Sequence, residues 1–161
     1  MFGLGFSKAL TVGSSAPLFA LPDQDGHQVV LADALKVGPV VVYFYPRDDT
    51  PGCTAQACKF RDGYADFSDA GAQVLGISAD TVDSHKKFAE RYRLPFRLLA
   101  DTDDAVHTAY GVQAALGLIR GRVTYVIDST GVIRHVFEDR LHATAHVSDA
   151  LQVLRTLKAG Q

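Results

Sequence analysis

Cys53 and Cys58 stand five positions apart and are the only two cysteines of the sequence. A thiolate is a strong nucleophile, but an ordinary cysteine, with a pKa of about 8.5, is mostly protonated at neutral pH and needs local help to react. The surroundings of Cys53 offer three kinds of help. A polar loop, residues 46–52, leads into a segment with Ala57, Phe60, Tyr64 and Phe67 at helical spacing. Cys53 therefore falls at a helix start, where free N–H groups and the positive dipole end favour an anion. Thr50, three residues upstream, can donate its hydroxyl proton to the sulfur or to an oxygen bound beside it. Arg122, distant in the chain, opens a strand-forming run, and a guanidinium fixed there could stabilise a thiolate and negative charge developing on oxygen. Pro46 and Pro51 bracket the loop and restrict its shape.

Each residue also has a plainer reading. A single cysteine is most often a small buried hydrophobe, but the Pro-x-x-x-Thr-x-x-Cys spacing and the second cysteine argue against that for Cys53. By position alone, Arg122 reads as an arginine paired with a surface carboxylate. Asp48 and Asp49 are neighbours on a loop and are expected to face water. The six histidines, among them His85, His107, His135, His142 and His146, show no zinc-like arrangement with the cysteines and read as solvated or packed. His142 and His146 have i, i+4 spacing but lack the glutamate of a His-Glu-x-x-His motif. Four residues between the cysteines, rather than two, argue against a disulfide reductase. A redox switch that reacts once without turnover stays open.

The elements that must position these residues follow from periodicity. Val40-Val41-Val42-Tyr43-Phe44-Tyr45 is a continuous β-branched and aromatic run, expected of a central strand buried on both faces. Residues 18–21 and 28–31 flank an Asp-Gly turn and predict an N-terminal hairpin. Residues 73–78 form a second strand, followed by a helix capped by Asp80 or Thr81, with Val82, Phe88, Ala89 and Tyr92 on one side. A short strand at 96–100, a short helix at 103–110 and a hairpin of residues 122–128 with 132–137 come next. Val147, Ala150, Leu151, Leu154 and Leu157 then fall on one stripe of a closing helix. This order predicts an α/β fold, a mixed central sheet flanked by helices with an N-terminal hairpin extension, in a single domain over residues 1–161.

Composition excludes several partners. The formal charge of −2 arises from 16 basic and 18 acidic residues without a polybasic stretch, so neither nucleic acid nor a membrane surface is expected as a partner. The mildly apolar start, residues 1–10, contains Lys8 and has no basic segment before it, which argues against a secretory signal. Two close cysteines cannot staple a secreted scaffold, and a cytoplasmic address is expected.

Tyr45-Pro46-Arg47-Asp48-Asp49-Thr50-Pro51-Gly52-Cys53-Thr54, with Cys58 and Phe60-Arg61-Asp62, resembles the active-site segment of the peroxiredoxins of the PrxQ or bacterioferritin-comigratory-protein subfamily. The similarity extends over most of the chain after Leu10, including Phe19-Ala20-Leu21-Pro22-Asp23, Gly76-Ile77-Ser78 and Arg122 to Asp128. It implies a thioredoxin-like fold and a thiol peroxidase acting on hydrogen peroxide and organic hydroperoxides. It also implies an active-site four of Pro46, Thr50, Cys53 and Arg122, with Cys53 peroxidatic and Cys58 resolving it as an intramolecular disulfide. Such enzymes carry no metal, haem or flavin and are recycled by thioredoxin or a similar dithiol. A resolving cysteine in the same chain removes any chemical need for a second subunit, so a monomer is expected. Two positions depart from the pattern: Gln56 stands where an acidic residue is common, and Val123 where a small hydroxyl residue often follows the arginine. Cysteines five apart on one regular helix have Cα atoms about 8.7 Å apart, whereas a disulfide tolerates at most about 7 Å. Disulfide closure is therefore expected to open the helix over residues 52–60.

Overall fold

The computed structural model describes residues 9–112, 121–139 and 141–160; most of the apolar start lies outside them. In chain order the elements are β1 (Ala20–Pro22), β2 (Gln28–Val30), α1 (Leu31–Val37), β3 (Val40–Phe44), α2 (Pro51–Asp62), α3 (Tyr64–Asp69) and β4 (Gln73–Ser78). They continue with α4 (Val82–Tyr92), β5 (Arg97–Ala100), α5 (Ala105–Ala109), β6 (Val123–Ile127), β7 (Ile133–Glu138) and α6 (Ala145–Ala159). A five-stranded sheet has the order β5-β4-β3-β6-β7, and β1 and β2 form the expected antiparallel hairpin. The sheet is mixed: β3 runs parallel to β4 and antiparallel to β6.

Side chains of a strand alternate between faces, and β3 divides the core accordingly. Val40, Val42 and Phe44 pack with Leu35 of α1 and Val106 of α5, whereas Val41 and Tyr43 pack with Ala57 and Phe60 of α2, Phe88 of α4 and Leu154 of α6. Helices thus cover both faces. The edge strand β5 is partly covered by the hairpin, since the Gln24 amide donates to the Phe96 carbonyl and accepts from the Leu98 N–H, which limits pairing with foreign strands.

Two local expectations need correction. Leu31 does not end the hairpin strand but begins α1, whose Leu31, Ala34 and Leu35 turn inward. An i, i+3, i+4 signal was present, but seven residues are too few to separate a helix from the preceding strand by period alone. The helical spacing from Ala57 to Phe67 belongs to two helices that meet at Gly63.

Gly76 marks a point of close packing between β4 and β3. A Cβ there would lie 2.8 Å from Cζ of Tyr43 on the neighbouring strand. Gly76→Ala is therefore expected to destabilise the fold by about 1–3 kcal/mol through overpacking, outweighing the roughly 0.5–1 kcal/mol that alanine gains over glycine in a strand. Urea unfolding measures this; an unchanged or raised midpoint would contradict the packing argument.

Candidate active site

At the carboxyl end of β3 the chain leaves the sheet through residues 45–50 and enters α2 at Pro51. Proline suits the first helical position, where no N–H partner exists and φ is preset. Thr50 is the extended cap residue (φ −96°, ψ 155°), and the helix-starting bond runs from Thr54 N to Thr50 O at 2.8 Å. The amides of Gly52 and Cys53 precede that bond and lie in the positive end of the helix. Cys53 is 2% exposed, Cys58 is half-buried further along α2, and both are free thiols.

Arg122 immediately precedes β6. Because Phe44 pairs with Val123, antiparallel register sets Arg122 beside Tyr45, where the chain turns toward α2. Its guanidinium is buried and donates from one terminal nitrogen to Cys53 Sγ at 3.4 Å and from the other to Gln56 Oε1. Cys53 and Gln56 are i, i+3 neighbours on one face of α2, so a single planar fork spans both. Gly52 leaves room for it: a Cβ there would stand 3.1 Å from Arg122 Nη2. Among the described residues, Arg122 Nε and Gln56 Nε2 are buried donors without a partner. Such groups cost free energy and mark sites arranged for something other than stability.

Behind the arginine, His146 of α6 is fully buried. Its Nε2 donates to the Asp139 carbonyl at 2.7 Å, so Nδ1 accepts from the Thr124 hydroxyl at 2.7 Å. Burial holds this imidazole below its ordinary value; the bond to Asp139 opposes that, and the Arg122 charge adds to it. The ring behind Arg122 is therefore held in its uncharged form and adds no second positive charge beside the guanidinium.

The structure thus brings together Cys53 and Arg122 and adds Gln56, which the sequence marked only as a departure. Among the described residues Arg122 meets a sulfur and an amide oxygen, not the surface carboxylate of its plainer reading. Thr50 needs correction: its hydroxyl proton goes to the Arg47 carbonyl at 3.0 Å and not to Cys53. The carbonyl lies three residues back within the same short loop and takes the single hydroxyl proton. Pro46 is half-buried at the entrance of the loop. Asp48 also differs from expectation: it is buried and joined to His85, while Asp49 is tied to Arg91. Neither contact has a local sequence signal. Asp48, Asp80 and His85 converge closely enough to suggest cation ligands, but Tyr45 and Ser84 hydroxyls and the Asp48 amide already occupy the carboxylate oxygens.

A buried thiol at a helix start beneath the end of a central strand, met by an arginine from the adjacent strand, defines a thiol-based redox enzyme. The AhpC/TSA family model matches residues 12–136. The chain is 49% identical over 150 residues to the chloroplastic peroxiredoxin Q of Sedum lineare, covering 92% of this chain and 80% of that one. It is 46% identical over 154 residues to the chloroplastic peroxiredoxin Q of Arabidopsis thaliana, covering 95% and 70%. Among solved structures, peroxidoxin BcpB of Mycobacterium tuberculosis superposes with a TM-score of 0.86 at 39% identity, covering 91% and 97%. Peroxiredoxin Q of Xanthomonas campestris superposes with a TM-score of 0.81 at 29% identity, covering 87% and 91%. The chain belongs to the AhpC/TSA family, has the thioredoxin-like fold of these peroxiredoxins and is a thiol-dependent peroxidase.

These relatives also overturn the cytoplasmic address. The plant proteins are chloroplastic by name. Sparse, unbridged cysteines report on the redox state of a compartment and do not single out one reducing compartment among several.

Proposed function

We propose that Cys53 is the peroxidatic residue and Cys58 the resolving residue of an intramolecular, two-cysteine peroxidase cycle. The observation that carries the reading is the Cys53 sulfur, buried at the start of α2 and 3.4 Å from a guanidinium nitrogen of Arg122. The Cys53 thiolate attacks one oxygen of the hydroperoxide. The O–O bond breaks, the departing oxygen takes up a proton as water or an alcohol, and sulfur becomes a sulfenic acid. The Cys58 thiolate then attacks that sulfur, forming the disulfide and releasing water. Thioredoxin or a similar dithiol protein returns both cysteines to thiols.

Arg122 stabilises the thiolate and the charge on the departing oxygen, and Gln56 holds the fork in place. Thr50, its proton given to Arg47, presents a lone pair that can accept from the hydroperoxide O–H; Pro46 shapes the loop. The resolving thiol lies in the same chain, so the cycle runs in a monomer on hydrogen peroxide or organic hydroperoxides. Peroxide consumption coupled to thioredoxin, thioredoxin reductase and NADPH tests the cycle. Many turnovers per enzyme are expected; one equivalent followed by arrest would leave only a redox switch.

Disulfide closure requires α2 to open, and its far end is anchored. Phe60 is fully buried and stacks on Tyr43 at 4.5 Å, and Arg61 donates to the Tyr92 carbonyl at 2.7 Å. Oxidation should therefore remove hydrogen-exchange protection from residues 53–59, while β3 keeps its own. Equal protection of α2 in both redox states would rule the opening out.

A further inference from the structure

Asp48 and His85 form a buried polar pair beside the active-site loop, and the proposed cycle gives them no chemical role. His85, on α4, is completely buried. Its Nε2 lies 2.9 Å from the Leu99 carbonyl, which can only accept, so Nε2 donates. Its Nδ1 lies 2.7 Å from Asp48 Oδ2, a contact that holds one further proton between the two side chains. Asp48 also accepts from the Tyr45 hydroxyl at 2.6 Å and from the Ser84 hydroxyl at 2.8 Å. Burial, and after it the negative charge of Asp48, pushes the Tyr45 phenol up, which keeps that hydroxyl a donor. The Asp48 amide donates to Asp80 Oδ2 at 2.8 Å. One loop residue is thus fastened through its side chain to Tyr45 just after β3 and to Ser84 and His85 of α4, and through its backbone to Asp80 just after β4, while His85 carries the tie on to Leu99 of β5.

The next residue is fastened from outside. Asp49 adopts φ 59°, a left-handed conformation unusual for a residue with a Cβ. Its carboxylate accepts from Arg91 at 2.7 Å and from the Tyr92 hydroxyl at 3.0 Å. Surface pairs of this kind hold little by themselves, whereas the inner pair is shielded from water. A buried polar pair is an inefficient way to add stability, since apolar packing of equal volume serves as well or better. What it adds is one defined geometry for the loop.

We infer that the Asp48–His85 pair is the positioning device of the active-site loop, holding the start of α2 so that Cys53 rests on Arg122 and limiting how far the helix opens backward. The inference rests on the proposed role of Cys53. Thr50 and Pro51 follow Asp48 by two and three residues, so a shift at Asp48 passes directly to the helix start. Phe60 and Arg61 anchor the opening segment at its other end. With both anchors in place the opening is confined between them; with Asp48 released it extends into the loop, and the pocket that reacts with peroxide is less populated.

The test compares Asp48→Ala with Asp48→Asn, both in a Cys58→Ser background, by trapping Cys53 sulfenic acid after mixing with hydrogen peroxide. Asparagine keeps the volume, accepts from Tyr45 and donates to a neutral His85 Nδ1, so its rate should stay within about threefold of the Cys58→Ser parent. Alanine should slow the reaction by about 10-fold to 100-fold, the scale of a small misplacement of reacting groups. It should also remove hydrogen-exchange protection in the reduced enzyme from the amides of residues 48 and 54, which donate to Asp80 Oδ2 and to the Thr50 carbonyl. With Cys58 restored, Asp48→Ala should accumulate less sulfinic acid at high peroxide, because an opened helix closes its disulfide sooner. Should Asp48→Ala not fold, Tyr45→Phe and Ser84→Ala each remove one donor from Asp48 and should slow the reaction in smaller steps. A folded alanine variant that reacts at the parent rate, or an asparagine variant as slow as alanine, overturns the inference. If the Cys58→Ser parent itself forms no sulfenic acid at Cys53, the peroxidatic reading fails instead. Protection of the amides of residues 48 and 54 then decides the clamp alone: loss in the alanine variant supports it and retention overturns it.

Discussion

Cys53→Ser is expected to abolish hydroperoxide reduction, whereas Cys58→Ser is expected to keep the reaction with peroxide and lose the recycling. A serine hydroxyl is not ionised at neutral pH and cannot be oxidised to an analogue of the sulfenic acid, so the first variant should show no turnover and no trapped intermediate. In the second, Cys53 keeps its helix start and its bond from Arg122, and the sulfenic acid should form and persist until a second peroxide carries it to sulfinic acid. Sulfenic-acid trapping with mass spectrometry of the intact chain separates the two. Trapping in the Cys53 variant but not in the Cys58 variant would reverse the roles.

Arg122→Met is expected to slow the reaction with peroxide by about 10²-fold or more, roughly 2.7 kcal/mol of barrier. The size follows from comparing the two sources of positive potential at the sulfur. A helix start contributes about 0.3–1 kcal/mol, up to about 2 in partly buried settings. A full charge at about 4 Å contributes roughly 4 kcal/mol at the effective dielectric of a protein, before the cost of burying it. The guanidinium therefore outweighs the helix start. Methionine retains much of the stem's packing but leaves Gln56 Oε1 without its donor, so the fold must be verified before the rate is read. Arg122→Lys keeps the charge but cannot span Cys53 and Gln56 with one planar fork, and its rate should fall between the two. An unchanged rate in a folded Arg122→Met protein would remove the arginine from the site.

The division between sequence and structure follows the range of the interactions. Val40 to Phe44, the β1–β2 hairpin, α4 with a cap at Asp80 or Thr81, of which the structure uses Thr81, and the stripe of α6 were legible because each rests on periods, caps and turns contained within a few residues. The position of Cys53 at a helix start was legible for the same reason. α1 was not, because its seven residues follow directly on a strand. Thr50 was identified, but the destination of its proton was not, because that depends on which acceptor the folded loop brings nearest. Arg122 and Cys53 are 69 positions apart, and Asp48 and His85 are 37 apart. Sequence pattern by itself determined the thiol pair, the alternating elements and the residue types available for a redox site. Only the tertiary structure decided that Arg122 reaches Cys53 and Gln56 together, and that Asp48 is a buried anchor rather than a solvated loop residue. The first depends on the register between β3 and β6, and the second on the packing of α4 against the loop and β5. Neither register nor packing leaves a periodic trace in the chain, since each is settled by the burial of the whole sheet rather than by any segment of it.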